Sequence, residues 1–143
     1  MTSLATPARR RRTTASPRIA RVLAVFLGLH GVAHLAGTSD SFARAREGGS
    51  VDYLAGAWTL SDPTLLRACG VVWALAGAGF VVAAAVTWLR RPEWPRVLAL
   101  VSAVSLAVVV VALWASVAGV VIDVALLTWV WRTGGLAPVT IHR

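Results

Sequence analysis

The chain has 143 residues, of which 57% are hydrophobic and 14% charged, and its formal net charge is +8. An ordinary soluble domain is about 45–50% apolar and about 25% charged, so this balance excludes a typical soluble globule, and the length leaves room for one domain. Mean hydropathy is +0.72, and every basic residue is Arg, with Lys absent. Such charge on so apolar a chain belongs to a membrane surface and not to nucleic acid.

Residues 1–17 carry Arg9, Arg10, Arg11 and Arg12 with Pro7 and Pro17 among Thr, Ser and Ala. Nothing there can bury a core, so a disordered basic cytoplasmic tail is expected. It faces anionic lipid, with about 1 kcal/mol of attraction per Arg near the surface. A first span follows over 19–37, free of acids and interrupted by Arg21, His30 and His34. A basic stretch before an apolar run also describes a signal peptide. The length of the run, the spans that follow and the poor cleavage site at Ala36-Gly37-Thr38 favour a retained helix.

Residues 38–63 are mixed and polar and read as an extracytoplasmic loop, in which Phe42, Tyr53, Leu54 and Trp58 form a short amphipathic stretch on the outer lipid surface. Asp62 is placed to cap the next helix, with Pro63 at its first position. The second span covers 64–89 and stops at Arg90-Arg91-Pro92. Cys69, the single cysteine, lies within it and reads as a small buried apolar residue; no disulfide and no C-x-x-C or Cys/His metal spacing is available. Residues 97–131 are apolar apart from Ser102, Ser105, Ser116, Asp123 and Thr128. One straight helix of that length would measure about 52 Å against a hydrocarbon core of about 30 Å. The segment therefore folds back near 114–119, giving spans over 96–114 and 117–131. The expected architecture is an all-α membrane protein. It has a four-helix transmembrane bundle over 18–132 and a short cytoplasmic tail over 133–143.

Charge placement sets the orientation. Four spans put Arg9, Arg10, Arg11, Arg12, Arg18, Arg21, Arg90, Arg91, Arg96, Arg132 and Arg143 on one side, and Arg44, Arg46 and Arg67 on the other with four of the six acids. This is the positive-inside pattern, with both termini in the cytoplasm and the chain multi-pass in the cytoplasmic (inner) membrane. Trp88, Trp94, Trp129 and Trp131 then fall at the inner interface, with Trp58 and Trp114 at the outer one.

Three residues are candidates for an intramembrane polar site: His34, Asp123 and His30. The two histidines are four apart and share a helix face. His30 lies nine residues beyond Arg21 and Asp123 nine before Arg132, so both sit about 13 Å from the inner boundary. Ionisable groups at that depth face the bundle interior and find partners. A His–Asp pair there suits proton transfer, ligand contact or a weak metal site, and it equally suits plain helix-to-helix adhesion. Two His on one helix cannot approach an iron from opposite sides, which disfavours haem. Arg67 marks the outer boundary of the second span and is expected to snorkel toward Asp62 or Asp52. Gly28, Gly31, Gly70, Ala74, Gly77 and Ala78 allow close helix packing. No phosphate-binding glycine loop, Walker motif or aqueous Ser/His/Asp arrangement appears. No catalytic residue, cofactor or metal site is assigned.

Gly31-Val32-Ala33-His34-Leu35-Ala36-Gly37, followed by Phe42, resembles the G-x-x-H-L-x-G…F signature that closes the first helix of a family of small, mostly uncharacterised bacterial membrane proteins. These have four helices and are DoxX-like in layout. Gly70-Val71-Val72-Trp73-Ala74-Leu75 is similar to the start of that family's second helix, and Trp114 with Gly119 and Asp123 to its last hairpin. The likeness spans roughly residues 28–131. Asp123 stands where the family pattern has Asn, and the turn after Trp114 is shorter and uncharged. The resemblance implies the fold and no established activity. On that motif His34 is expected to be the more important histidine and His30 the more dispensable one, with His34 and Asp123 both facing the bundle interior, while depth alone matches Asp123 to His30.

Three functions fit these features. The first is a non-enzymatic partner subunit or small-ligand binder, whose partners are the lipid bilayer and a membrane protein or second copy. The second is a transporter or proton-relay component using the His/Asp site, and the third a DoxX-like membrane redox subunit. Topology is directly testable: an alkaline phosphatase fusion after residue 50 should be active and one after residue 93 inactive, and the reverse pattern would contradict four spans.

Overall fold

A computed structural model of the chain describes residues 16–111 and 117–133. Arg9 to Arg12, Trp114, His142 and the expected tail over 133–143 beyond Thr133 lie outside them. The described chain is helical apart from one short hairpin, in the order α1 (Pro17–Glu47), β1 (Val51–Tyr53), β2 (Trp58–Leu60), α2 (Pro63–Trp88), α3 (Trp94–Val111) and α4 (Val117–Arg132), with a single 3-10 turn (Leu54–Gly56) joining the strands. By length and composition α1 and α2 are apolar enough to cross a membrane.

The first helix departs from expectation at both ends. It starts at Pro17 with Ser16 as N-cap, so these two residues are not part of a tail. It also continues ten residues past the expected stop at 37. Polar composition there does not break the helix, because the polar groups are answered locally. Thr38 Oγ1 donates to the His34 carbonyl (3.1 Å), Ser39 Oγ to the Ala36 carbonyl (3.0 Å), and Arg44 Nε to Asp40 Oδ2 (2.8 Å) one turn away. The helix ends at Gly48, which takes the left-handed conformation (φ 70°) that glycine adopts without steric cost, and Gly49 N–H closes the cap on the Arg44 carbonyl (2.9 Å).

Residues 51–60 then form an antiparallel hairpin with Tyr53 opposite Trp58 and Asp52 opposite Thr59, whose hydroxyl donates to the Asp52 carboxylate (2.6 Å). Tyr53 and Leu60 are buried in a small cluster with Ala45 of α1 and Leu66 of α2, and half-buried Cys69 packs at its edge. The expected amphipathic stretch is thereby corrected. Tyr53 faces inward and Phe42 packs against Gly70, while Leu54 and Trp58 stay exposed. Asp62 caps α2 through Oδ1, which accepts from Thr64 and Leu65 N–H at 2.8 and 2.9 Å. The carboxylate is thus engaged at the helix start, Asp52 is engaged by Thr59, and exposed Arg67 pairs with neither. At the other end of α2 Leu89 is the cap, and Arg90 after it (φ 54°) is a non-glycine residue in a left-handed conformation, an arrangement that costs about 1–2 kcal/mol.

The helices assemble with apolar residues on both faces and polar ones on one. Buried positions recur at alternating spacings of three and four: Ala20, Ala24, Leu27, Gly31 and His34 on α1, Leu98, Ser102, Ser105 and Val109 on α3, and Asp123, Leu126 and Val130 on α4. That spacing is the seam of helices packed at a shallow left-handed angle. Large apolar side chains such as Val22, Leu29, Leu35, Leu75, Leu100 and Val121 point outward, each at least half exposed. The tightest contact joins α1 and α2. A Cβ on Gly31 would lie 2.8 Å from the Gly77 carbonyl oxygen, and one on Gly77 would lie 2.8 Å from the Gly31 oxygen.

Gly77→Val should therefore force the two backbones apart and cost about 1–3 kcal/mol, the range for overpacking. Unfolding of the detergent-solubilised protein would show it, and an unchanged midpoint would deny the close crossing. Tyr53, the single tyrosine, supplies a pH test. Burial foremost, then a hydrogen bond with Cys69, raises its phenol well above the ordinary value. The folded state retains this proton where the unfolded chain loses it. The contribution to stability is complete below about pH 10, the unfolded value, and falls as pH rises beyond it. Phenolate absorbance should appear at higher pH in the folded protein than in denaturant.

Candidate functional site

The α1–α2 crossing at Gly31 and Gly77 directs the next turn of α1 into the bundle. A Cβ on Gly77 would sit 3.2 Å from that of His34, and His34 is 3% exposed. Its ring stacks on Phe80 at a centroid distance of 5.5 Å and lies tilted on Trp73 at 5.3 Å. Its Nε2 is 3.2 Å from Ser105 Oγ of α3, a hydrogen bond whose direction depends on the imidazole tautomer. His30, one turn earlier, has its side chain 8% exposed and meets Phe80 edge-on at 4.5 Å. Asp123 of α4 is fully buried, and its Oδ1 lies 3.6 Å from His30 Nε2.

All three expected site residues thus converge inside the bundle, with a different pairing. His30, not His34, meets Asp123, and His34 pairs with Ser105. Position along the helices explains this, since His30 is nine residues from Arg21 and Asp123 nine from Arg132, whereas His34 is one turn beyond. The contact follows the match in depth, whereas the motif had pointed to His34. Ser105 was absent from the expected site. Its signal lay in the spacing of Leu98, Ser102, Ser105 and Val109, which places both serines on the buried stripe of α3. Trp73 and Phe80, which wall the histidines, carry no polar signal at all.

The site is under-satisfied. Neither Asp123 oxygen has a hydrogen-bond partner, and His30 Nε2, His34 Nδ1 and Ser102 Oγ are likewise buried without one. At 3.6 Å the His30–Asp123 approach is electrostatic, since it exceeds hydrogen-bond length. Beside it a cleft of about 420 Å³ runs from His30 and His34 past Gly37 and Trp73 to Asp40 near the projecting end of α1. No Arg is among its described lining residues, and Asp40 in that lining is bonded to Arg44. Among the described residues no three His, Cys, Asp or Glu side chains are grouped to hold a metal ion. Toward the opposite end the core is apolar, formed by Leu27, Phe80, Ala83, Leu98, Leu126 and Val130.

Comparison with family models, curated proteins and solved structures gives no match. The site's chemistry is read from its own residues. A buried carboxylate without hydrogen bonds costs stability unless something else compensates it. Asp123→Asn should therefore leave the unliganded protein as stable or raise its stability by about 1–3 kcal/mol, the penalty scale for an unsatisfied buried group. A large loss in the same unfolding measurement would mean that the ionic contact with His30 holds the bundle together.

Proposed function

We propose that the chain is a multi-pass protein of the cytoplasmic membrane whose four helices all span the bilayer with both ends inside, and that it binds a small ligand in the cleft beside His30 and His34 without transforming it. Support for four spans comes from the arginine distribution and from the apolar exteriors of α3 and α4. The observation that carries the binding role is the set of unpartnered polar atoms, Asp123 Oδ1 and Oδ2, His30 Nε2 and His34 Nδ1, next to an accessible cleft. A ligand entering from the Asp40 end supplies the missing hydrogen bonds. The cleft has aromatic and apolar walls, carboxylates near both ends and no Arg, so it favours a neutral or cationic hydrogen-bond donor over an anion. The role is that of a binding subunit, acting with a membrane partner or a second copy.

A transmembrane proton relay is less well supported. Such a path needs polar groups throughout, and inward of His30 the core is the Leu27–Phe80–Leu98–Leu126 cluster. Nothing in the geometry favours a redox subunit.

Thermal unfolding of the purified protein should rise with millimolar small primary amines and remain unmoved by carboxylates of matched size. His34→Ala should remove the rise. Equal shifts by amines and carboxylates, or an undiminished shift in the variant, would refute the binding role.

A further inference from the structure

Contacts run from α1 to α2, from α2 to α3 and from α3 to α4, but α1 and α4 meet at few points among the described residues. The bundle is therefore open along one seam, and His30–Asp123 is a contact across it. Ile122, beside that contact, borders two hollows. One is the polar cleft. The other is a groove of about 680 Å³ extending toward the arginine-rich end, walled by Val22 and Phe26 of α1 and by Ala125 and Trp129 of α4. Arg18 also lines it, and among the described lining residues it is the one that carries a charge.

We propose that this groove holds one acyl chain of an anionic phospholipid, with the phosphate against Arg18. The proposal rests on the membrane reading above and is independent of the ligand in the polar cleft. Dimensions fit a single leaflet. From Arg18 to Phe26 is eight residues, or about 12 Å of helix, close to half of a 30 Å hydrocarbon core. Charge fits as well. Arg18 belongs to the first turn of α1, whose N-terminus carries about half a positive charge from the helix dipole, so cation and dipole act on one anion. Arg21 is engaged elsewhere, 5.9 Å above the Trp88 ring. A second copy of the chain fits less well. A symmetric dimer about the membrane normal through this groove would bring two Arg18 side chains and two helix N-termini together. The lipid chain closes the seam below His30–Asp123 and keeps the polar site from the surrounding bilayer on that side.

Native mass spectrometry of the full chain in mild detergent, titrated with dioleoylphosphatidylglycerol or dioleoylphosphatidylcholine, tests this. One phosphatidylglycerol should be retained at least about fivefold more tightly than phosphatidylcholine, the preference expected of one Arg at the membrane surface. Arg18→Gln should abolish the preference, and Ala125→Trp, at an exposed groove position, should weaken both lipids while helicity is unchanged. Equal retention of the two lipids by the parent protein, or a preference that survives Arg18→Gln, would overturn the proposal. So would disulfide-linked dimers of Val22→Cys in bilayers, tested with Cys69→Ser in the same chain. Alkaline carbonate extraction separates the two levels. Release from membranes refutes the membrane reading itself, whereas retention without a phosphatidylglycerol preference refutes the lipid site alone.

Discussion

The contact between Gly31 and Gly77 brings two helix backbones together with no side chain between them. The two histidines of the bundle are placed by that approach. His34 follows Gly31 by one turn on the same face of α1 and so is driven against Trp73 and Phe80 of α2. His30, one residue before Gly31, falls at the edge of the α1–α2 interface and reaches toward α4, where Asp123 waits at the same depth. A side chain at either glycine would separate the helices and withdraw both imidazoles from their partners. Small residues at membrane helix interfaces are a packing device. Here the device also aims two titratable rings.

The energetic balance of this interior is unusual for a structural core. In the proposed membrane setting the helices gain little by hiding apolar surface from one another and associate through packing and polar contacts. A bundle built for stability alone would fill its centre with satisfied hydrogen bonds or with none. This one encloses a carboxylate and two imidazoles that are incompletely paired, with a cleft alongside. Groups of that kind cost stability as long as they stay unpartnered. The arrangement is also asymmetric along the helices. The His/Asp site and the hairpin occupy one half, while the larger apolar cluster and most of the arginines occupy the other.

Much of this was legible in the residues. Apolar runs, the Asp62-Pro63 start and the Arg90-Arg91-Pro92 stop locate the helices, and counting turns from the flanking arginines matches His30 with Asp123. What escaped were features that composition does not encode. Thr38, Ser39 and Asp40 look like loop residues, yet each is answered within the helix or by Arg44, and the true stop signal was Gly48-Gly49. The hairpin was hidden because its strands are three residues each, and its inward residue, Tyr53, is identified only by packing against Ala45, Leu60 and Leu66. Ser105 was hidden for the opposite reason, since a lone hydroxyl in an apolar run is common and only its register with Leu98 and Val109 reveals its direction. Helical depth points to His30 as the neighbour of Asp123, which the motif around His34 does not.

In the proposed bilayer setting, polar residues face inward and the exposed apolar residues face lipid. Nitroxide scanning of α1 across residues 25–35 in bilayers, with Cys69 replaced by Ser, measures that directly. Oxygen accessibility should oscillate with the helical period of about 3.6 residues. Maxima are predicted at Val25, Leu29 and Val32 and minima at Leu27, Gly31 and His34, following their exposure in the fold. A flat profile, or a lipid-exposed maximum at position 34, would contradict the account.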